Sequence, residues 1–207
     1  HLSCTIIVAL IAVIMLFCAG AKISHFLWIS VPAAAGLVAV ITFVEYMQKR
    51  VFSFLNPWSD PLEGGWQVIQ GLYAIGSGGL FGRGLGRSMQ KFLYIPEPQN
   101  DFIFAIIAEE LGFIGVLLVL SLFAVFIWRG IKIAINTSDT FGSLMAVGIT
   151  SLIAVQTLLN VAVVTSSIPP TGVTLPFISS GGTALIMNMA EVGILLNISR
   201  YSRYDRF

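Results

Sequence analysis

The sequence predicts an all-α polytopic membrane protein: about five transmembrane helices and one large loop carrying a short interfacial helix. Hydrophobic residues make up 57% of the chain and charged residues only 10%, at a mean hydropathy of +0.91, far below the roughly 25% charged content of soluble domains. The apolar residues gather into runs long enough to cross a hydrocarbon core about 30 Å thick. Between the second and third runs lies a loop of about fifty residues, too long to be a simple connection. A net charge of +1 with scattered positives forms no basic stripe, so nucleic acid is not an expected partner.

The first span covers residues 2–21. It begins directly after His1 with no charged segment before it, which does not fit a secretory signal peptide and suggests a missing N-terminal part. Cys4 and Cys18 lie on this run about 21 Å apart, too far to bridge, and both read as small core residues. The second span covers residues 26–47. The loop, residues 48–101, opens on Lys49 and Arg50 and turns at Asn56-Pro57 and Asp60-Pro61. Residues 66–75 form a candidate interfacial helix with Trp66, Ile69, Leu72 and Tyr73 on one side. Six glycines then fall among the eleven residues 76–86, with Arg83, Arg87 and Lys91 beside them. Such a run is either a flexible connection or a set of backbone N–H groups turned toward a ligand. It lacks the Gly-Lys-Ser/Thr of a P-loop.

Pro96 and Pro98 cannot continue a helix, and the third span, residues 102–128, starts directly after Asp101. Asn100 or Asp101 can cap this helix; alternatively, Asp101 is a functional acid at the water–lipid boundary. On a straight helix Ala105, Ala108, Gly112 and Gly115 fall within about 40° of Asp101. That strip suits close packing of another helix or a sliding lipid-like ligand. Glu109 and Glu110 fall about 12 Å further along, inside the bilayer, where an acid needs a partner or a cavity. The fourth span, residues 141–164, carries Gln156 and Asn160 on one face. Residues 165–182 are uncharged, apolar and rich in Pro and Gly, which suits a re-entrant loop. The fifth span, residues 183–199, carries Asn188 and Glu191. These intramembrane polar residues read mainly as structural.

Because spans alternate sides, Lys22, Arg129, Lys132, Arg200, Arg203 and Arg206 share one side, and all three short segments there carry cations. That side is assigned to the cytoplasm, which puts the long loop outside and the C-terminus inside. The loop cations then oppose the usual bias, and an anionic lipid head group would explain them.

Four ordered motifs closely resemble the SEDS family (FtsW, RodA, SpoVE): Phe54-Leu-Asn-Pro-Trp-Ser-Asp-Pro61, Gly79-Leu-Phe-Gly-Arg-Gly-Leu-Gly86, Pro96-Glu-Pro-Gln-Asn-Asp-Phe-Ile-Phe104 with Glu109-Glu-Leu-Gly112, and Leu175-Pro-Phe-Ile-Ser-Ser-Gly-Gly182. Asn56-Pro-Trp58 and Gln90-Lys-Phe92 are more similar to the FtsW/SpoVE branch. The family's common His-Thr before the Asp is Gln99-Asn100 here, and the Tyr of its Ile-Ser-Tyr-Gly-Gly is Ser180.

The resemblance implies the C-terminal half of a ten-span peptidoglycan glycosyltransferase of the bacterial cell membrane. Such enzymes polymerise lipid II during division or sporulation and release undecaprenyl diphosphate. The implied partners are lipid II, the undecaprenyl-diphosphate-linked glycan, a class B penicillin-binding protein transpeptidase, and other divisome or sporulation membrane proteins. Asp101 alone maps onto the family's catalytic acid. It is expected to act as general base, with Lys49, Arg50, Arg83, Arg87 and Lys91 available to the diphosphate and Arg83 and Lys91 the first choices. No metal ligand set is legible; a divalent cation (Mg or Mn) bridging the diphosphate and Asp101 is the one cofactor the chemistry admits. A lipid II flippase and a non-catalytic divisome scaffold are the rival readings.

Overall fold

The computed structural model describes residues 2–61, 65–91 and 99–201. Among these residues there is no strand, and the α-helices are α1 (Leu2–Cys18), α2 (Ile23–Phe43), α3 (Glu45–Leu55), α4 (Trp66–Gly78), α5 (Ile103–Asn136), α6 (Thr140–Val164) and α7 (Gly182–Ser199). Four of them, α2, α5, α6 and α7, are long and apolar enough to cross a membrane, and α1 is a shorter apolar helix. Pro96, Pro98, Arg203 and Arg206 lie outside the described residues.

The bundle is built around α6. Its start is fixed by Asp139, whose Oδ2 accepts a hydrogen bond from the Gly142 N–H at 2.8 Å, a side-chain cap on one of the four orphan donors of a helix start. Ala146, Ile149, Ile153, Val163 and Val164 of α6 join Phe104, Ala105, Phe123 and Ala134 of α5 and Leu195 of α7 in the main core. A second cluster, Ile7, Val155 and Val173, seats α1 on the other side of α6. Cys4 and Cys18 face outward instead of joining a core, because α1 turns Ile7, Ile11 and Ile14 toward α6.

One expected boundary moves, and one expected helix face turns. Helix α2 ends at Phe43, where Val44 is extended at φ −103° and ψ 105°. The β-branched Ile41, Thr42 and Val44 favour that break, and α3 restarts with Glu45 in its first turn, an acid at the positive end of the helix dipole. Lys49 and Arg50 therefore stand on a helix, not in a loop. Helix α4 buries Val68, Ile69, Gly71, Ala74 and Gly78, whereas Leu72 and Tyr73 remain exposed. Its glycines explain the choice of face: a Cβ at Gly78 would strike the Ala108 carbonyl, and one at Gly71 would press on the Phe102 ring.

Helix α5 is two helices meeting at an elbow. Gly112 has φ 68° and ψ −167°, a combination that only glycine adopts freely. A straight helix would hold Gly130 and Asp101 about 44 Å apart. Yet Gly130 lies against Thr150, and Asp101 O is bonded by Asn160, and those two partners are only about 15 Å apart along α6. Even with a helix spacing of about 8–10 Å added, the first segment of α5 has to fold back toward α6. Counting outward from the Gly130–Thr150 contact puts the elbow beyond Val164, the last residue of α6. Glu109 and Glu110 thus sit at the elbow near the end of the bundle, and not below Asp101 in the bilayer. The small-residue strip is used for helix packing: Ala105, Ala108, Gly112 and Gly115 are all buried.

The glycine-rich loop splints the elbow. Arg83 N and Gly84 N donate to the Glu109 and Glu110 carbonyls at 2.9 and 3.0 Å, while Phe113 N and Ile114 N donate to Gly79 O and Leu80 O at 2.9 and 3.2 Å. The loop thereby pairs the backbone groups that the broken helix leaves open. A Cβ on Gly112 would collide with Gly82 N and the Leu80 carbonyl. Gly112→Ala is therefore expected to cost at least about 1–3 kcal/mol from backbone strain alone, read as a lower midpoint of thermal unfolding in detergent. Gly193→Ala, on a helix with open space at its Cβ, should leave that midpoint unchanged or slightly raised.

Candidate active site

Asp101 is half-buried, one residue before Phe102, which is fully buried. Phe102 occupies the cap position of α5 and its own side chain makes no cap bond. The turn before it is fixed through its carbonyls. Ser180 N donates to Gln99 O at 2.8 Å, Ser179 Oγ donates to Asn100 O at 2.5 Å, and Asn160 Nδ2 donates to Asp101 O at 2.8 Å. The same Nδ2 also donates to Val173 O at 2.8 Å.

Residues 170–173 form the wall facing the acid. A Cβ built on Gly172 would stand 4.0 Å from Asp101 Oδ2, and Gly172 has φ +71°. Arg50 Nη1 donates to Pro170 O at 3.0 Å, and its guanidinium lies 4.7 Å from the centre of the Tyr46 ring. Ser3 Oγ donates to Thr171 O at 2.6 Å. Behind this wall, Arg50 borders a largely apolar groove of about 310 Å³ lined by Ile6, Ile41, Met47, Leu159 and Ile168. A second apolar groove, of about 550 Å³, runs between α1 and α2. An acid, a cation and a lipid-like groove thus share one short stretch of backbone.

The other expected cations are placed differently. Lys91 Nζ donates to Glu110 Oε1 at 2.8 Å, and Arg83 lies 3.5 Å from Glu109 Oε1. Glu109 is fully buried and accepts from Ser88 Oγ at 2.6 Å, Met89 N at 3.1 Å and Gln90 N at 3.3 Å. Glu110 accepts from Gly86 N at 2.9 Å and Ser88 N at 3.2 Å. The N–H groups of the glycine-rich run do turn toward an anion, but the anion is this pair of carboxylates. Arg83 and Lys91, the first choices for a diphosphate, are engaged at the elbow. Lys49 and Arg87 are exposed.

Gln156 is half-buried on α6, Asn188 is buried on α7, and Glu191 has a buried Oε2 without a hydrogen-bond partner among the described residues. Asn160 bonds to loop carbonyls instead of the neighbouring helices expected for it. Ser88, Gly172 and Ser179 are parts of the site that were not singled out from the sequence. Among the described residues, no three His, Cys, Asp or Glu side chains converge as a metal site. The Glu109 and Glu110 carboxylates are taken up by N–H and cationic donors, so this pair is not free to ligate a cation.

The fold and this site define a polytopic helical membrane protein with one half-buried acid set beside a cation and an apolar groove. The chain matches the family model described as cell cycle protein (FtsW/RodA/SpoVE) over residues 1–204, and it belongs to that family. It is 56% identical over 192 residues to stage V sporulation protein E of Bacillus subtilis (strain 168), covering 93% of this chain and 52% of that protein. It is 42% identical to a probable peptidoglycan glycosyltransferase FtsW of Geobacter sp. (strain M18), covering 93% and 53% respectively. The chain thus spans about half the length of the curated relatives it matches. Among solved structures, one described as the structural coordination of polymerization and crosslinking by a peptidoglycan synthase complex aligns with a TM-score of 0.73 at 28% identity, over 97% of this chain and 56% of that one. An Asp-to-Ala mutant of the rod shape determining protein RodA of Thermus thermophilus aligns with a TM-score of 0.50 at 32% identity, over 65% and 41%.

Removing the Glu109 carboxylate would leave three donors unpaired, one of them the buried Ser88 hydroxyl. Glu109→Ala is expected to cost roughly 3 kcal/mol or more at about 1–3 kcal/mol per buried orphan. Arg83→Ala, whose side chain is 40% exposed, should cost under about 1 kcal/mol. Thermal unfolding of the two variants side by side checks the contrast.

Proposed function

We propose that this chain is the C-terminal half of a peptidoglycan glycosyltransferase that polymerises lipid II, with Asp101 as its general base. The carrying observation is the convergence on residues 170–173: Asp101 faces Gly172, and Arg50 reaches Pro170 from the edge of an apolar groove. In the proposed reaction the acceptor's 4-hydroxyl gives its proton to the Asp101 carboxylate. Its oxygen forms a bond to C1 of the growing chain as the bond from C1 to the diphosphate breaks. The electron pair leaves with undecaprenyl diphosphate.

Arg50 is the cation best placed to stabilise that leaving group, and the grooves beside it have the chemistry to take a polyprenyl chain. Arg83 and Lys91 serve the elbow, and Lys49 and Arg87 remain outlying candidates for the head group. The names of the relatives support the reaction class. The likeness to a synthase complex that couples polymerization and crosslinking supports a penicillin-binding protein transpeptidase as partner. Lys22, Arg129, Lys132 and Arg200 gather at the Asn136 end of the bundle, which favours that end as cytoplasmic and the Val164 end, with Asp101, as extracellular.

The test is lipid II polymerisation by a full-length protein carrying this chain, with its cognate transpeptidase. Asp101→Asn is expected to lower the rate by at least about 100-fold, the scale of general base catalysis, while lipid II binding persists. Arg50→Ala should lower it by at least about tenfold, and exposed Arg87→Ala by less than about twofold. Equal product from parent and Asp101→Asn would reject Asp101 as base. A folded parent that makes no product would return the flippase and scaffold readings.

A further inference from the structure

We propose that Asn160 and Ser179 are positioning residues for Asp101: together they hold the backbone of residues 99–101 so that the carboxylate stands against Gly172. The inference rests on the reading of Asp101 as base and adds the groups that aim it. Three consecutive carbonyls, Gln99 O, Asn100 O and Asp101 O, precede the helical hydrogen-bond ladder of α5, so the helix gives them no donor. Each finds one from a distant part of the chain: Ser180 N, Ser179 Oγ and Asn160 Nδ2.

The chemistry of the two side chains fits this work. Asn160 is fully buried and spends its amide on two carbonyls, Asp101 O and Val173 O, both at 2.8 Å. Two acceptors on one nitrogen fix which way the amide faces. That single group ties the turn bearing the acid to the segment the acid confronts. An Asp at 160 would set an acceptor against two acceptors. Ser179 Oγ accepts from Leu175 N at 2.8 Å and donates to Asn100 O, so the direction of its hydroxyl proton is also fixed. Neither residue touches the carboxylate in these contacts; both act through its backbone. Misplacing a reacting group by about 1 Å costs on the order of 100-fold in rate, so loosening this latch should be read in turnover before it is read in binding.

The experiment uses the full-length protein and compares Asn160→Ala, Ser179→Ala and Ser179→Thr in lipid II polymerisation and backbone hydrogen exchange. The expected result is a kcat lower by about 10- to 100-fold for both alanine variants with KM within about twofold. Ser179→Thr, which keeps the hydroxyl, should stay within about threefold of the parent. Exchange should rise in peptides covering residues 99–106 and 173–180 and stay unchanged over residues 79–91. An unchanged kcat in both alanine variants overturns the proposal, as does a rate loss accompanied by faster exchange throughout the bundle. If Asn160→Ala does not fold, the Ser179 pair decides alone, since failure of threonine to rescue alanine would also refute it. A folded parent without polymerisation removes the base that the latch would aim. Local exchange changes in that protein would then mark the latch as structural only, which separates the two failures.

Discussion

The structure depends on one constraint: the backbone groups released where α5 breaks at Gly112 have to find partners. Four main-chain bonds from residues 79–84 meet that demand, and the Glu109 and Glu110 carboxylates take up N–H and hydroxyl donors from residues 86–90. Because the break is closed, the first segment of α5 can fold back toward α6 and bring Asp101 to Asn160. A continuous helix would have left the acid tens of ångströms from the bonds that now hold it. The long loop is thus part of the frame of the site.

Burying two acids at the elbow is tolerable for the same reason. An unpaired carboxylate away from water is strongly disfavoured, and its pairing usually requires several donors and a counter-charge. Here Arg83 and Lys91 supply the charge, and main-chain N–H groups supply most of the donors. This division of labour separates the cations of the loop from Arg50. The first set stabilises the frame, whereas Arg50 stands on α3 beside the grooves and reaches the wall opposite Asp101.

Much of this was legible in the sequence, and the failures have definite causes. The apolar runs of α1, α2, α5, α6 and α7 announced themselves by length and hydropathy, and Asp101 by the shift from a Pro-rich loop to an apolar run. The fold-back of α5 was not legible, since a lone glycine in an apolar run reads as a packing residue and its φ of 68° is a tertiary outcome. That one omission misplaced Glu109 and Glu110 and left Arg83 and Lys91 looking available. The latch was half visible: Asn160 stood out as a polar residue in a span. Its acceptors, in contrast, are main-chain carbonyls far away in sequence, which leave no mark in residue type.

The splint at the elbow also bears on how this chain can change over time. Apart from the Arg83 side chain, residues 79–84 bond to the broken helix through main-chain atoms, while Leu80, Phe81 and Leu85 point their side chains outward. The shape of that stretch is therefore nearly independent of what those three side chains are. Drift there is cheap, and replacing Gly82 or Gly112 is not. New surface chemistry can arise at this end of the molecule, one substitution at a time, without moving Asp101.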